Sequence, residues 1–434
     1  MKNEKFNDGL LAFLQSSPTP YHAVQSMEAA LLEAGFIKLN EKENWYLEEG
    51  GRYFAVRNGS SIVAFIKGRE DVHEGGIRMV GAHTDSPCLK VKPNPDIRNK
   101  GFHQLGVEVY GGVLINPWFD RDLSLAGRVA YENTRGELKQ VLLDFVEPVA
   151  VIPSLAIHLD REANNSRSVN LQRDIVPIFR QAEQSSGTFN DVLVSELRRK
   201  YPEIELKTVL DYEMCLYDTQ QPARLGFKGE FIASARLDNL LSCYVGLQAL
   251  VDYEGAHSCL LVCNDHEEVG SCSAIGAQGP MLHDILLRWL GDEQALMRVA
   301  SSSLFISADN AHGVHPNYTD KHDSQHGPLL NSGPVIKLNA NQRYASNAET
   351  AGFFRLLCER NKVPVQSFVM RSDMACGSTI GPITASAIGV KTLDVGVPTF
   401  AMHSIREMAG ADDPYYLYQA LNAFFAFEGC PGFQ

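Results

Sequence analysis

The stretch Ile77-Arg-Met-Val-Gly81-Ala-His83-Thr-Asp85-Ser-Pro87 runs an apolar strand straight into a histidine and an aspartate. The arrangement recurs. Cys259-Leu-Leu-Val-Cys263 precedes Glu267-Glu268, Leu304-Phe-Ile-Ser307 precedes Asp309, and the run from Lys391 to Val395 precedes His403. Short apolar runs bounded by polar residues predict strands buried on both faces. Helical patterns over 239–253, 281–290, 348–362 and 413–427 alternate with them. Strands alternating with helices predict an α/β fold. In open α/β sheets, sites form beyond the carboxyl ends of the strands. Ligand-type residues far apart in sequence can therefore converge there.

Working outward, the first 35 residues hold two helical patterns, 6–14 and 22–35, parted by Ser16-Ser-Pro-Thr-Pro20. Strands are predicted over 53–56 and 61–66 by alternation. From about 90 to 225 the texture changes, with Pro93, Pro95, Gly111-Gly112 and Pro117 punctuating short β-like runs. We read a discontinuous domain, 1–89 and 226–434, interrupted by a β-rich insertion over 90–225.

The 434 residues carry 39 Lys+Arg against 52 Asp+Glu, a net charge of −13. That balance repels phosphate backbones and argues against nucleic acid as a partner. There is no apolar run near the ~18–20 residues a membrane span needs, and the N-terminus lacks a secretory apolar region. Nine cysteines without a C-x-x-C pair argue against disulfide frameworks and thiolate zinc sites. They are expected to be reduced thiols in a soluble, cytoplasmic protein.

The chemistry lies in the polar residues at the predicted strand ends. His83, Glu267, Glu268, Asp309 and His403 join Asp238, which stands before a helical pattern in Ser234-Ala-Arg-Leu-Asp-Asn239. Nitrogen and carboxylate donors without sulfur suit Zn²⁺, Co²⁺ or Mn²⁺. Of two adjacent glutamates, one can ligate a metal while the other serves as a general base. Asp85, two residues after His83, can hold the imidazole tautomer. Taken singly, each has a plainer reading: Asp238 as a helix N-cap, Glu267-Glu268 as a solvated face, His403 as a structural histidine. Only their joint position at strand ends favours a metal.

Other signals mislead. His266-Glu267 begins like the zincin H-E-x-x-H, but position 270 is glycine. The pairs His312/His315 and His322/His326 have ligand-like spacing in a Pro- and Gly-rich loop, where a structural or substrate-side role is the better reading. The motifs of P-loops, dinucleotide sites and serine hydrolases do not occur.

Longer motifs then carry a resemblance. Gly81-Ala-His-Thr-Asp-Ser-Pro-Cys-Leu-Lys-Val-Lys-Pro93, Asp265-His-Glu-Glu-Val-Gly-Ser271, His315-Pro-Asn-Tyr318, Gln342-Arg-Tyr-Ala-Ser-Asn347, Cys376-Gly-Ser-Thr-Ile-Gly-Pro382 and Ala401-Met-His-Ser-Ile-Arg-Glu407 resemble the M18 aspartyl aminopeptidases, over nearly the whole chain. The resemblance implies a zinc-peptidase-like catalytic domain, a central mixed sheet flanked by helices, with an inserted β-rich dimerisation domain. It implies two divalent cations per subunit: Asp238 bridging both, His83 and Asp309 completing one, Glu268 and His403 the other. Glu267 would be the general base and Asp85 the orienter of His83. Peptides would be the substrates, acidic N-terminal residues the preferred ones, and dimers assembling into a dodecamer the homo-oligomer. Ala156-Ile-His-Leu159 matches a segment whose histidine reaches a neighbouring subunit's site, so His158 is assigned to substrate binding. By its own neighbours it reads as a buried core histidine. Some members carry a lysine where this chain has Asn341, which weakens the expectation of a strict acidic preference.

Two rivals share parts of this reading. A dinuclear deacylase of N-acyl amino acids needs the same metal cage. A non-enzymatic shell protein would be expected to have lost a ligand or the base, yet all seven candidates are present.

Overall fold

The computed structural model describes residues 2–182 and 187–429, which form two compact units. Of the described residues, one comprises 2–86, 222–402 and 407–429, and the other 87–182, 187–221 and 403–406. Residues 403–406, read from sequence as part of the first domain, thus cluster with the second.

Among the described residues, the first unit is built on a nine-stranded mixed sheet. Its order is 37–38, 52–57, 61–66, 258–264, 77–83, 304–308, 391–396, 335–338, 366–369. The four central strands, Ser258–Asn264, Ile77–His83, Leu304–Ala308 and Lys391–Gly396, are mutually parallel. The first three are buried along their full length, as continuous apolar runs require.

Alternation along these strands supplies two separate cores. Val80, Ala82, Leu261, Cys263 and Ile306 face a layer containing the helices Leu237–Val251 and Asp413–Phe425. Ile77, Met79, Leu260, Val262 and Phe305 face the helix Met281–Leu290 instead. Leu240, Leu241 and Val245 are wholly buried; each such side chain contributes about 1.5–3 kcal/mol by leaving water. The architecture is the expected mixed α/β one.

Several bounds shift. The strand read as 77–81 runs on to His83, so the histidine belongs to the sheet. The element Leu237–Val251 is kinked at its start, where Asp238 and Asn239 have non-helical φ/ψ, so the continuous helix follows them, close to the expected bound. The strands Val335–Leu338 and Gln366–Val369 escape sequence reading because four residues show too little periodicity. A five-stranded sheet containing Phe231–Ser234, Pro398–Phe400 and Glu407–Gly410 also belongs to this unit.

The second unit is a six-stranded antiparallel sheet, in the order 138–144, 123–133, 206–218, 88–99, 102–110, 178–181. The helix Phe189–Lys200, opened by a Thr188/Asp191 capping box, adds Phe189, Leu193 and Leu197 to its separate core.

Candidate metal centre

The parallel strands end together. Asn264 lies opposite His83 and Ser307 opposite Gly81, so the residues that follow them emerge at one edge. His83, almost wholly buried, stands at the middle. Its Nε2 is 3.4 Å from Asp238 Oδ1, 3.6 Å from Asp309 Oδ1 and 3.9 Å from Glu267 Oε2. These gaps are long for hydrogen bonds. Two donors each about 2.0–2.1 Å from a tetrahedral zinc would stand about 3.3 Å apart, close to the shorter two. One ligand atom each from His83, Asp238 and Glu268 also lies within 4.8 Å of the others. The donor set, one imidazole with several carboxylates, fits zinc.

Asp85 organises more than the histidine. Its backbone carbonyl lies 3.1 Å from His83 Nδ1 and its Oδ1 3.4 Å from the same nitrogen. Its two carboxylate oxygens also accept the backbone N–H groups of Glu267 and Glu268, each at 3.1 Å. One buried side chain thus aims both glutamates, which sit in the short turn Glu267–Val269.

Asp238 is clamped through its backbone. Its N–H donates to Glu407 Oε2 at 2.9 Å, and its carbonyl accepts from Ser86 Oγ at 2.6 Å. The Asp238–Asn239 peptide is cis, and Asn239 Nδ2 donates to Ala308 O at 2.8 Å. Asp309 Oδ2 is 3.1 Å from Lys337 Nζ. Sequence reasoning assigned no role to Ser86, Glu407 or Lys337. The one available signal was a lysine inside the apolar run Val335-Ile-Lys-Leu338.

The electrostatics are those of crowded acids. Burial, then repulsion from Asp309, Asp238 and Asp85, raises the Glu267 pKa to about 7, with His83 opposing. Glu268 is pushed well above the carboxylate range by burial and by Asp238. Burial lowers the His83 pKa, but Glu267 and the contacts with Asp238, Asp309 and Asp85 outweigh it and hold the imidazole well above its usual value. A cluster that raises its own carboxylate pKa values in this way lacks positive charge, which divalent cations supply. Cys243 Sγ donates to His83 O at 3.0 Å, and burial raises its pKa well above normal, so it serves as a neutral thiol.

The remaining candidates have other immediate surroundings. His403 belongs to the second unit, where its Nδ1 is 3.1 Å from Gly112 O. His158, in the same unit, is exposed among exposed Leu155, Ile157 and Leu159, so the buried-core reading of it fails. Asn341 is exposed in the turn after Val335–Leu338. His266 turns its Nδ1 to Ser273 Oγ at 2.8 Å. His312, His315 and His322 line a pocket of about 240 Å³ with Lys321, Phe368 and Phe400, whereas His326 bonds Asp323. None of the eight described cysteines forms a disulfide; Cys430 lies outside the described residues.

The comparisons with known proteins point to one family. Residues 13–425 match the family model for the aminopeptidase I zinc metalloproteases, M18. A probable M18 family aminopeptidase 2 of Ectopseudomonas mendocina is 58% identical over 98% of both chains. Among solved structures, Ape4 in its complex with Nbr1 is 38% identical, with a TM-score of 0.94 over 98% of this chain and 86% of that one. The S. cerevisiae mApe1 dodecamer is 27% identical, with a TM-score of 0.84 over 98% and 97%.

Proposed function

The chain belongs to the M18 family of zinc aminopeptidases, and from that premise we propose that it releases N-terminal residues from peptides at a two-cation centre with Glu267 as general base. The observation that carries this is the convergence of His83, Asp238 and Glu268 at the ends of separate elements, with Asp309 and Glu267 beside them.

In this reading Asp238 would be shared by two cations, with His83 and Asp309 holding one and Glu268 and His403 the other. Bound zinc, with cobalt or manganese as alternatives of the same donor preference, supplies Lewis acidity that lowers the pKa of water and polarises the scissile carbonyl. Glu267 takes the proton of the attacking water and returns it to the leaving amine. Asp85 keeps His83 and both glutamates aimed while this happens. A pKa near 7 in the cation-free protein places Glu267 within reach of both proton transfers.

Three finer points complete the proposal. Acidic N-terminal residues are preferred, less strictly than with a lysine at position 341. The chain assembles as dimers into a dodecamer; the S. cerevisiae mApe1 is a dodecamer, and the exposed Leu155, Ile157 and Leu159 support burial of that segment by a second copy, with His158 reaching the neighbour's substrate. The absence of disulfides among the described cysteines is consistent with a reducing cytoplasm.

The test is hydrolysis of Asp-, Glu-, Leu- and Lys-p-nitroanilide and N-acetyl-Asp-p-nitroanilide by chelator-stripped protein with Zn²⁺, Co²⁺ or Mn²⁺ restored. Cleavage of free but not acetylated substrates is expected, with Asp and Glu fastest. Cleavage of the acetylated substrate alone would make the enzyme a deacylase.

A further inference from the structure

The break Ser16-Ser-Pro-Thr-Pro20 has no part in the proposed reaction. In the structure it separates the helices Lys2–Ser16 and Pro20–Glu33, and Thr19 caps the second. The last carbonyls of the first helix have no partners within it, as in any helix. The guanidinium of Arg236 meets them there. Its Nε donates to Ser17 O at 3.0 Å and its Nη2 to Leu14 O at 3.3 Å. A cation at a helix C-terminus is also favoured by the helix dipole.

Arg236 stands two residues before Asp238, with φ 62° and ψ 26°. A residue with a Cβ seldom adopts this left-handed conformation, which persists where its surroundings hold it. The chain turns here between the strand Phe231–Ser234 and the segment bearing Asp238. The anchor is itself fixed. Leu10 and Leu14 of the first helix are wholly buried, and Asn7 Nδ2 donates to Ala411 O at 2.7 Å. Phe6 and Phe13 pack on Tyr244, with ring centroids 5.2 and 5.7 Å away. Tyr244 belongs to Leu237–Val251, so the first helix grips that element along its side and, through Arg236, just before its start. Glu407 and Ser86 hold the Asp238 peptide groups; Arg236 holds the turn that leads to them.

We propose that Arg236 is a positioning residue: bound to the carbonyls that end the first helix, it fixes the turn that delivers Asp238 to the metal centre. The inference rests on the metal-centre reading above. It makes the N-terminal helix part of the cation-binding apparatus. One planar guanidinium reaches both carbonyls because its donors form a fixed fork; an ammonium on a flexible stem brings the charge without that geometry. Asp238 is shared by two cations in this reading, so a loosened turn weakens both.

The test compares Arg236→Met and Arg236→Lys with the unaltered chain. Both zinc dissociation constants are measured by chelator competition, the visible spectrum is recorded after loading with Co²⁺, and the melting temperature is taken on chelator-stripped protein. In Arg236→Met both zinc equivalents are expected to weaken by about 10–100-fold, with altered Co²⁺ bands. Arg236→Lys should recover only part of the loss. In an Asp238→Asn background, Arg236→Met should cost little further zinc affinity. A lower melting temperature with unchanged zinc constants would make Arg236 a residue of the fold alone and overturn the proposal. So would weakening of one equivalent only, full recovery by lysine, or a fully additive loss with Asp238→Asn. Arg236→Gln, which keeps a donor, gives the same readout if the methionine variant does not fold; failure of all three variants to fold also overturns the proposal. An unaltered chain that binds no zinc would overturn the metal-centre reading itself.

Discussion

Glu267 and Glu268 are chemically identical neighbours given different tasks by their surroundings. Asp85 holds both backbone N–H groups, and the turn then sends each carboxylate to a different place. Glu268 joins His83 and Asp238 in the ligand cluster, and Glu267 is the proposed proton carrier. Glu267→Gln is therefore expected to lower kcat by about 10²–10⁴ while zinc content, measured by atomic absorption, stays at the wild-type value. The pKa values also set a sign for metal binding. In the cation-free chain Glu267 holds its proton up to about pH 7, and burial beside Asp238 also raises the Glu268 carboxyl well above the usual carboxylate range. Cations bind the ionised forms, so binding releases protons and affinity falls as pH drops below about 7. Calorimetry in buffers of different ionisation enthalpy should show proton release at pH 6.5; an absence of release would contradict the crowded-acid picture.

At the scale of elements, apolar runs marked the four central strands and helical periodicity marked Met281–Leu290 to the residue. Burial on both faces explains why: the sheet core selects continuous Val, Ile, Leu and Cys, and that selection is visible in sequence. The short strands carry no such mark, and Lys337 and Glu407 sit on two of them. Packing at the strand ends is tight enough to be tested. A Cβ at Gly396 would stand 1.8 Å from the backbone oxygen of Asp309, an atom that cannot move without moving the ligand. Gly396→Ala is expected to cost about 3 kcal/mol and to weaken zinc binding, read by urea unfolding and chelator competition. Gly352, exposed on the helix Ala348–Arg360 with nothing near its Cβ position, provides the contrast. Gly352→Ala should stabilise by about 0.5–1 kcal/mol and leave metal binding unchanged.

For the molecule as a whole, the second unit has its own sheet and its own core. Its exposed 155–159 segment carries the proposed contact with another copy. His158→Ala is expected to raise KM or lower kcat by tenfold or so, as loss of one buried hydrogen bond to substrate would, with melting temperature unchanged. If mixing inactive Glu267→Gln subunits with His158→Ala subunits restores no activity after reassembly, the two residues do not act across subunits. The sequence by itself determined the α/β class, the long motifs and the types of residue at the strand ends. These are local properties, written by burial period and donor chemistry. Only the tertiary structure decided that Asp238 faces His83, that His158 is exposed, and that the two oxygens of Asp309 are divided between His83 and Lys337. Those outcomes depend on strand order and side-chain direction across the sheet, which residue spacing along one strand does not encode.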